Sequence, residues 1–164
     1  MSSDDLAFPA PNALAAGEPW AWGALHRACA PALANYLAAA GVDDVDRAVG
    51  EVFVHVGRRL GSYDGDASGL RVLVFTVARR YVREDPSLAQ RLAARRPATG
   101  AMDAGREQVR SVLGELDEDQ QDVLLLGVAA DLDQADVAAV LDRDLAWVAA
   151  TEQRATESLG DVVF

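Results

Sequence analysis

Two amphipathic repeats in close succession, joined by a turn rich in Gly and Asp, limit what this chain can fold into more than any other feature. They occupy Val42 to Tyr81. In the first repeat Val45, Val49, Val52, Phe53 and Val56 recur at three- and four-residue steps and form one apolar stripe. In the second, Leu70, Leu73, Val74, Val77, Ala78 and Tyr81 do the same. Arg71, Arg79, Arg80 and Arg83 crowd the remainder of that helix and its end. A helix with one apolar stripe is stable only when the stripe is covered, so the spacing predicts a helical bundle.

The flanking chain extends the all-α reading. Residues 1–17 hold prolines and small residues without a sustained period and read as a flexible tail. Pro19 opens a helix in which Leu25, Cys29, Leu33, Tyr36 and Leu37 share a side; Pro31 is expected to kink or split it. Gly41 ends this helix, and Asp43 or Asp44 caps the next. Pro86 stops the second repeat. Residues 87–96 and 106–113 read as short helices around a linker at 97–105. Beyond it, Asp117 with Gln120 makes a capping-box pattern before Val123, Asp133 caps a helix over Gln134 to Leu141, and Asp144 caps another over Leu145 to Leu159. Helix, short turn, helix is the layout of a helix-turn-helix unit. The expected organisation is two small helical domains, at 18–96 and 106–164.

Charge supports that division. Residues 1–113 hold 13 Arg and 13 acidic residues, whereas residues 114–164 hold 2 Arg and 13 acidic residues, so the whole net charge of −11 lies in the last third. Such asymmetry suggests different partners for the two halves. With 51% apolar residues the chain can bury real cores. The single Cys29 rules out an internal disulfide framework. No window suits a membrane span, and the chain reads as cytoplasmic. His26 and His55 stand apart without metal-ligand spacing, and no nucleophile-base pattern or phosphate-binding glycine loop is present. No cofactor, metal or catalytic residue is expected.

Three runs resemble conserved region 2 of the extracytoplasmic-function (ECF) sigma factors, bacterial transcription initiation factors. Glu51-Val52-Phe53 stands where the family has "QEVF", Tyr63-Asp64-Gly65-Asp66-Ala67-Ser68 matches "F-x-G-D-A-S", and Phe75-Thr76-Val77-Ala78-Arg79 matches "LFTIAR". The last third resembles region 4 of the same family, "L-P-x-x-Q-R-x-V-L-L-L … A-E-I-A-x-x-L-G-I-P-x-G-T-V-K-S-R-L-x-R-A-R-x-x-L". Leu116, Gln120, Val123 to Leu126, Ala138, Leu141, Val148, Arg154, Ala155 and Leu159 fall in register without a gap. The resemblance covers most of residues 20–159.

It implies binding rather than catalysis. Asp46, Arg47, Glu51, Val52, Phe53 and Arg58 would dock on the beta-prime clamp coiled coil of the RNA polymerase core. Tyr63, Asp66, Ser68, Arg71, Arg79, Arg80 and Arg83 would capture the −10 promoter strand, since charge with flat aromatic faces is what single-stranded DNA binding requires. Arg143, Trp147, Gln153 and Arg154 would approach the −35 duplex. The motifs also depart from the family. Arg47 replaces an Asp, Gly50 a Gln and Gly57 a Trp. The Lys, Ser and Arg expected to face DNA in the last helix are Ala149, Ala150 and Thr151. One extra residue lies near Gly69, between Ser68 and Phe75. A region of this acidity repels phosphate. Two functions therefore follow from the resemblance: an ECF sigma factor with degenerate −35 recognition, or a sigma mimic that binds polymerase or an anti-sigma factor without reading a promoter.

Overall fold

Aspartates, glycines and prolines set most of the helix boundaries in the computed structural model of the chain, which describes residues 8–84 and 111–163. The described residues form helices α1 (Pro11–Ala15), α2 (Pro19–Ala39), α3 (Val45–Leu60), α4 (Leu70–Glu84), α5 (Glu118–Leu124), α6 (Gln134–Leu141) and α7 (Leu145–Val163), and no strand among them. A 3-10 turn at Ala67–Gly69 precedes α4, and a π-helical turn at Leu125–Ala129 continues α5.

The caps are those the sequence implies. The Asp44 carboxylate accepts the Arg47 N–H at 3.1 Å and starts α3. Asp117 and Gln120 bond reciprocally, at 2.8 and 3.2 Å, and start α5. Asp133 caps α6 through the Asp136 N–H at 2.8 Å, and Asp144 caps α7 through the Trp147 N–H at 2.7 Å. Each such cap satisfies an orphan donor and stabilises a helix by about 1 kcal/mol. At the end of α2, Gly41 adopts φ 96°, and the N–H groups of Gly41 and Val42 reach back to the Ala38 and Leu37 carbonyls. This double bond pattern requires a left-handed residue, which glycine supplies without strain.

Two expectations are corrected here. Pro31 does not split α2, which runs unbroken from Pro19 to Ala39. Pro31 and Arg27, whose carbonyl Pro31 cannot bond, both lie on the exposed side, so the missing hydrogen bond falls on the solvent face while the buried side stays in register. Nor is the whole of 1–17 an unstructured tail. Within it α1 forms a short helix, Leu14 is 2% exposed, and the Trp22 indole N–H donates to the Leu14 carbonyl at 3.1 Å. The linker at 97–105 and the helix expected at 87–96 lie outside the described residues; of the helix expected at 106–113 only residues 111–113 are described, and they are helical, as is residue 114.

α2, α3 and α4 pack as a three-helix bundle around Leu25, Leu33, Val52, Val56, Val74 and Phe75. The Phe75 ring meets Tyr36 edge-on, with centroids 6.0 Å apart. α6 packs on α4, and the π turn packs on α2. Leu126, Leu132, Val137 and Val148 of the second half therefore belong to the same contiguous apolar core as the first.

Candidate protein and nucleic-acid interfaces

α3 presents a polar outer face. Asp46, Arg47 and Arg58 are exposed, and the Arg47 guanidinium lies 2.9 Å from Glu51 Oε1. Tyr81 donates its hydroxyl to the other Glu51 oxygen at 2.8 Å. That hydrogen bond, with the Arg47 contact, holds the Glu51 carboxyl below its ordinary pKa. The reversed charge at Arg47 is thus answered within its own helix. Glu51, His55, Arg59, Arg80, Tyr81 and Glu84 line a groove of about 480 Å³ between α3 and α4. Val52 is corrected: it is 0% exposed and supports this face from beneath, so it cannot touch a partner. Phe53 is half-buried under the His26 ring, 5.1 Å away. Gly57, where the family has Trp, is covered from α2: a Cβ there would lie 3.5 Å from the Trp22 ring. The Trp22 indole of α2 thus lies over Gly57, at ordinary van der Waals distance from where a Cβ would stand.

The turn before α4 is a compact knot. Asp66 accepts the Ser68 hydroxyl at 2.6 Å and the Gly69 N–H at 3.2 Å, and these bonds lower its carboxyl pKa. The Tyr63 hydroxyl donates to the Asp66 carbonyl at 2.7 Å. A Cβ on either Gly65 or Gly69 would collide with the Tyr63 side chain. The additional residue near Gly69 is thereby accommodated, with Tyr63 folded inward across both glycines.

The arginines of α4 are all engaged within the chain. Arg71 donates to the carbonyls of Ala130 and Asp131, at 3.3 and 3.1 Å. Arg79 donates from Nε and Nη2 to Asp122 Oδ2, at 3.0 and 2.9 Å. Arg83 bonds both Asp122 and Glu118, and Arg80 pairs with Glu84. The expectation that Arg71, Arg79 and Arg83 face a nucleic acid is therefore not met in this conformation: they face α5 and the loop after it. Sequence reasoning missed Asp122. The available signal was its phase, one turn before the core residue Leu126, where a charge must find a partner.

The start of α7 carries little that could hold a duplex. Ala146, Ala149 and Ala150 are exposed, and Leu145 is 53% exposed. Thr151 is corrected: it is 0% exposed, accepts from Arg154 at 3.0 Å, and is not a DNA-facing position. The Arg143 guanidinium sits 4.9 Å over the Trp147 ring, and Trp147 is half-buried. Gln153 is exposed and donates to Glu157 at 3.0 Å, while Gln134 of α6 donates to Glu152. A second groove, apolar and about 410 Å³, is lined by Val112, Leu113, Leu124, Leu125, Val128 and Leu159. It gave no sequence signal beyond core-like periodicity. Among the described residues no group of side chains is placed to hold a metal ion, and no helix is long and apolar enough to cross a membrane.

No protein-family model matches the chain, and no curated protein matches it. Solved structures do. The structure of CnrH in complex with the cytosolic domain of CnrY is 26% identical, with a TM-score of 0.78 over 93% of this chain and 94% of that one. The sigma factor RpoE of Bartonella quintana, solved with the anti-sigma factor NepR, is 18% identical, with a TM-score of 0.61 over 84% of this chain and 93% of that one. These fold neighbours are sigma factors, which regulate transcription and are not enzymes. The helical order, the three-helix bundle and the capped helix-turn-helix on one continuous core are the fold of an ECF sigma factor.

Proposed function

We propose that this sigma-factor-like protein binds the RNA polymerase core and the −10 strand of a promoter, with degenerate −35 recognition. One observation carries the reading: the helix-turn-helix is intact, yet α7 presents alanines at 146, 149 and 150 in a half with 2 Arg and 13 acidic residues. A helix in the major groove gains most of its affinity from phosphate neutralisation, at about 0.9 of salt slope per phosphate. Arg143 and Arg154 are the cations this half offers, and both are partly committed, to Trp147 and Thr151. By contrast α4 carries Arg71, Arg79, Arg80 and Arg83, a composition suited to single-stranded DNA, although each is paired within the chain in this conformation. The α3 face, with Asp46, Arg47, Glu51 and Arg58, is the candidate polymerase surface.

A second reading, a sigma mimic that meets protein without reading a promoter, is favoured by the apolar groove beside Val128, which is 75% exposed. Such a groove suits the apolar face of an amphipathic helix. An anti-sigma protein is the natural candidate, because RpoE was solved with one. Run-off transcription with purified core polymerase separates the readings. Initiation that depends on the −10 sequence and is indifferent to the −35 sequence supports the first. Stable polymerase binding without initiation supports the second, and loss of activity on scrambling −35 refutes the degenerate −35 helix.

A further inference from the structure

Arg71, Arg79 and Arg83 are turned toward α5 and the loop after it, whereas the groove between α3 and α4 keeps a guanidinium that no carboxylate among the described residues takes. Glu51, His55 and Arg59, one turn apart on α3, form one wall, and Arg80, Tyr81 and Glu84 of α4 form the other, around about 480 Å³. Eight residues of helix give this groove a length of about 12 Å. Its two acids are answered within the chain. Arg47 and Tyr81 each donate to one oxygen of Glu51, and Glu84 takes Arg80. Arg59 is half-buried, and among the described residues neither it nor His55 enters an ion pair. A cation in the last turn of a helix is favoured by the helix dipole. That accounts for Arg58 and Arg59 at the end of α3, but not for a guanidinium that lines a groove without a carboxylate partner.

We propose that this groove holds the phosphate backbone of a single DNA strand, with Arg59 and His55 of α3 and Arg80 of α4 as donors and the Tyr81 ring as a stacking face for a base. The site is that of the strand binding proposed above, on which it rests, and it adds Arg59 and His55 to that binding. Guanidinium and imidazole N–H groups on one wall with an aromatic ring on the other have the composition of a single-strand channel, charge for phosphate and a flat face for a base. The Tyr81 hydroxyl is fixed by its 2.8 Å bond to Glu51, which holds the ring in one orientation. The pair of Arg80 with Glu84 is open to water, at 59% and 63% exposed, so it contributes little, and a phosphate replaces the carboxylate in the same geometry. Arg59 stands one turn before the Tyr63 turn, and its carbonyl accepts the Ser62 hydroxyl at 3.2 Å. A strand whose base meets that turn therefore enters the groove at Arg59 and runs toward Tyr81.

Fluorescence anisotropy of the full chain with a labelled dT20 oligonucleotide, titrated at several salt concentrations, tests the groove. The variants are Arg59→Gln, Arg59→Lys and His55→Ala. Arg27→Gln, an exposed change on α2 of the same charge as Arg59→Gln, is the control. Arg59→Gln should weaken binding about tenfold relative to Arg27→Gln. It should also lower the slope of log K against log salt by about 0.7, the share of one phosphate on a single strand. Arg59→Lys, which keeps the charge, should keep the slope, and His55→Ala should weaken binding by a smaller factor than Arg59→Gln. Far-UV circular dichroism checks the fold; if Arg59→Gln unfolds, the exposed His55→Ala change still carries the comparison. Where the unchanged chain binds dT20, an affinity and slope equal to the control in every folded variant overturn the groove and leave strand capture elsewhere on α4. No binding of dT20 by the unchanged chain overturns strand capture, and the groove with it.

Discussion

Replacing glycine by alanine at two positions inside α3 and at one just beyond the end of α2 tests the backbone directly, because the same chemical change should have opposite signs. Gly50 lies inside α3 on its exposed side, and a Cβ there meets nothing within 4 Å. Alanine removes the backbone entropy that glycine loses in a helix, about 0.8–1.0 kcal/mol. Gly57 lies two turns later, where a Cβ would make ordinary contact with the Trp22 ring at 3.5 Å. Its gain is of similar size. The sites are about 10 Å apart along the helix axis, far enough for the effects to add. For a chain of this size about 1 kcal/mol moves Tm by roughly 2–4 °C. Gly50→Ala should therefore raise Tm by roughly 2–4 °C, and Gly50→Ala with Gly57→Ala by roughly twice that. Gly41 is the counter-case, at φ 96°. Alanine there is forced into the left-handed region at a cost of about 1–2 kcal/mol, and Tm should fall. Thermal melts followed by circular dichroism at 222 nm read all of these. A drop for Gly50→Ala, or no loss for Gly41→Ala, would refute the helix interior or the left-handed cap respectively.

Other outcomes follow from the core and the caps. Phe75→Ala, which empties a fully buried ring site against Tyr36, should cost about 3–5 kcal/mol by urea titration; a loss below about 1 kcal/mol would mean the site collapses or the ring is not core. Burial pushes the Cys29 thiol up from 9.0 to about 11, with Arg71 opposing. Because the folded value is the higher one, this contribution to stability is complete below about pH 9 and is lost as pH climbs toward 11. Native protein at pH 8 should accordingly resist maleimide until denaturant is added, and rapid native labelling would contradict the burial. Asp142 holds φ 53° at the position where the family pattern has Gly, so Asp142→Gly should raise Tm by a few degrees, and a fall would show that the Asp side chain compensates the strain. Lys at 149 and 150 should make duplex binding tighter and more salt-dependent in a filter-binding titration, by about 0.9 of slope for each further phosphate neutralised; an unchanged slope would place that face of α7 away from DNA.

Sequence alone determined most of the helices and their caps, though neither α1 nor the unbroken course of α2 through Pro31. Periodicity, Asp44, Asp117, Asp133 and Asp144 as caps, and Gly41 as a terminator act within a turn or two, so local chemistry was sufficient. It also determined the family-like fold, because the matched positions of both halves are largely core positions, and the same apolar set recurs in the buried core. What each polar residue faces was decided only by tertiary structure. Thr151 turned inward, Trp22 came to lie over Gly57, and Arg71, Arg79 and Arg83 met Asp122, Glu118 and two backbone carbonyls. Those partners lie some 35 to 60 residues away along the chain. A periodic pattern shows which side of a helix is buried, but not which distant element covers it, and the charge pairs belong to that second question.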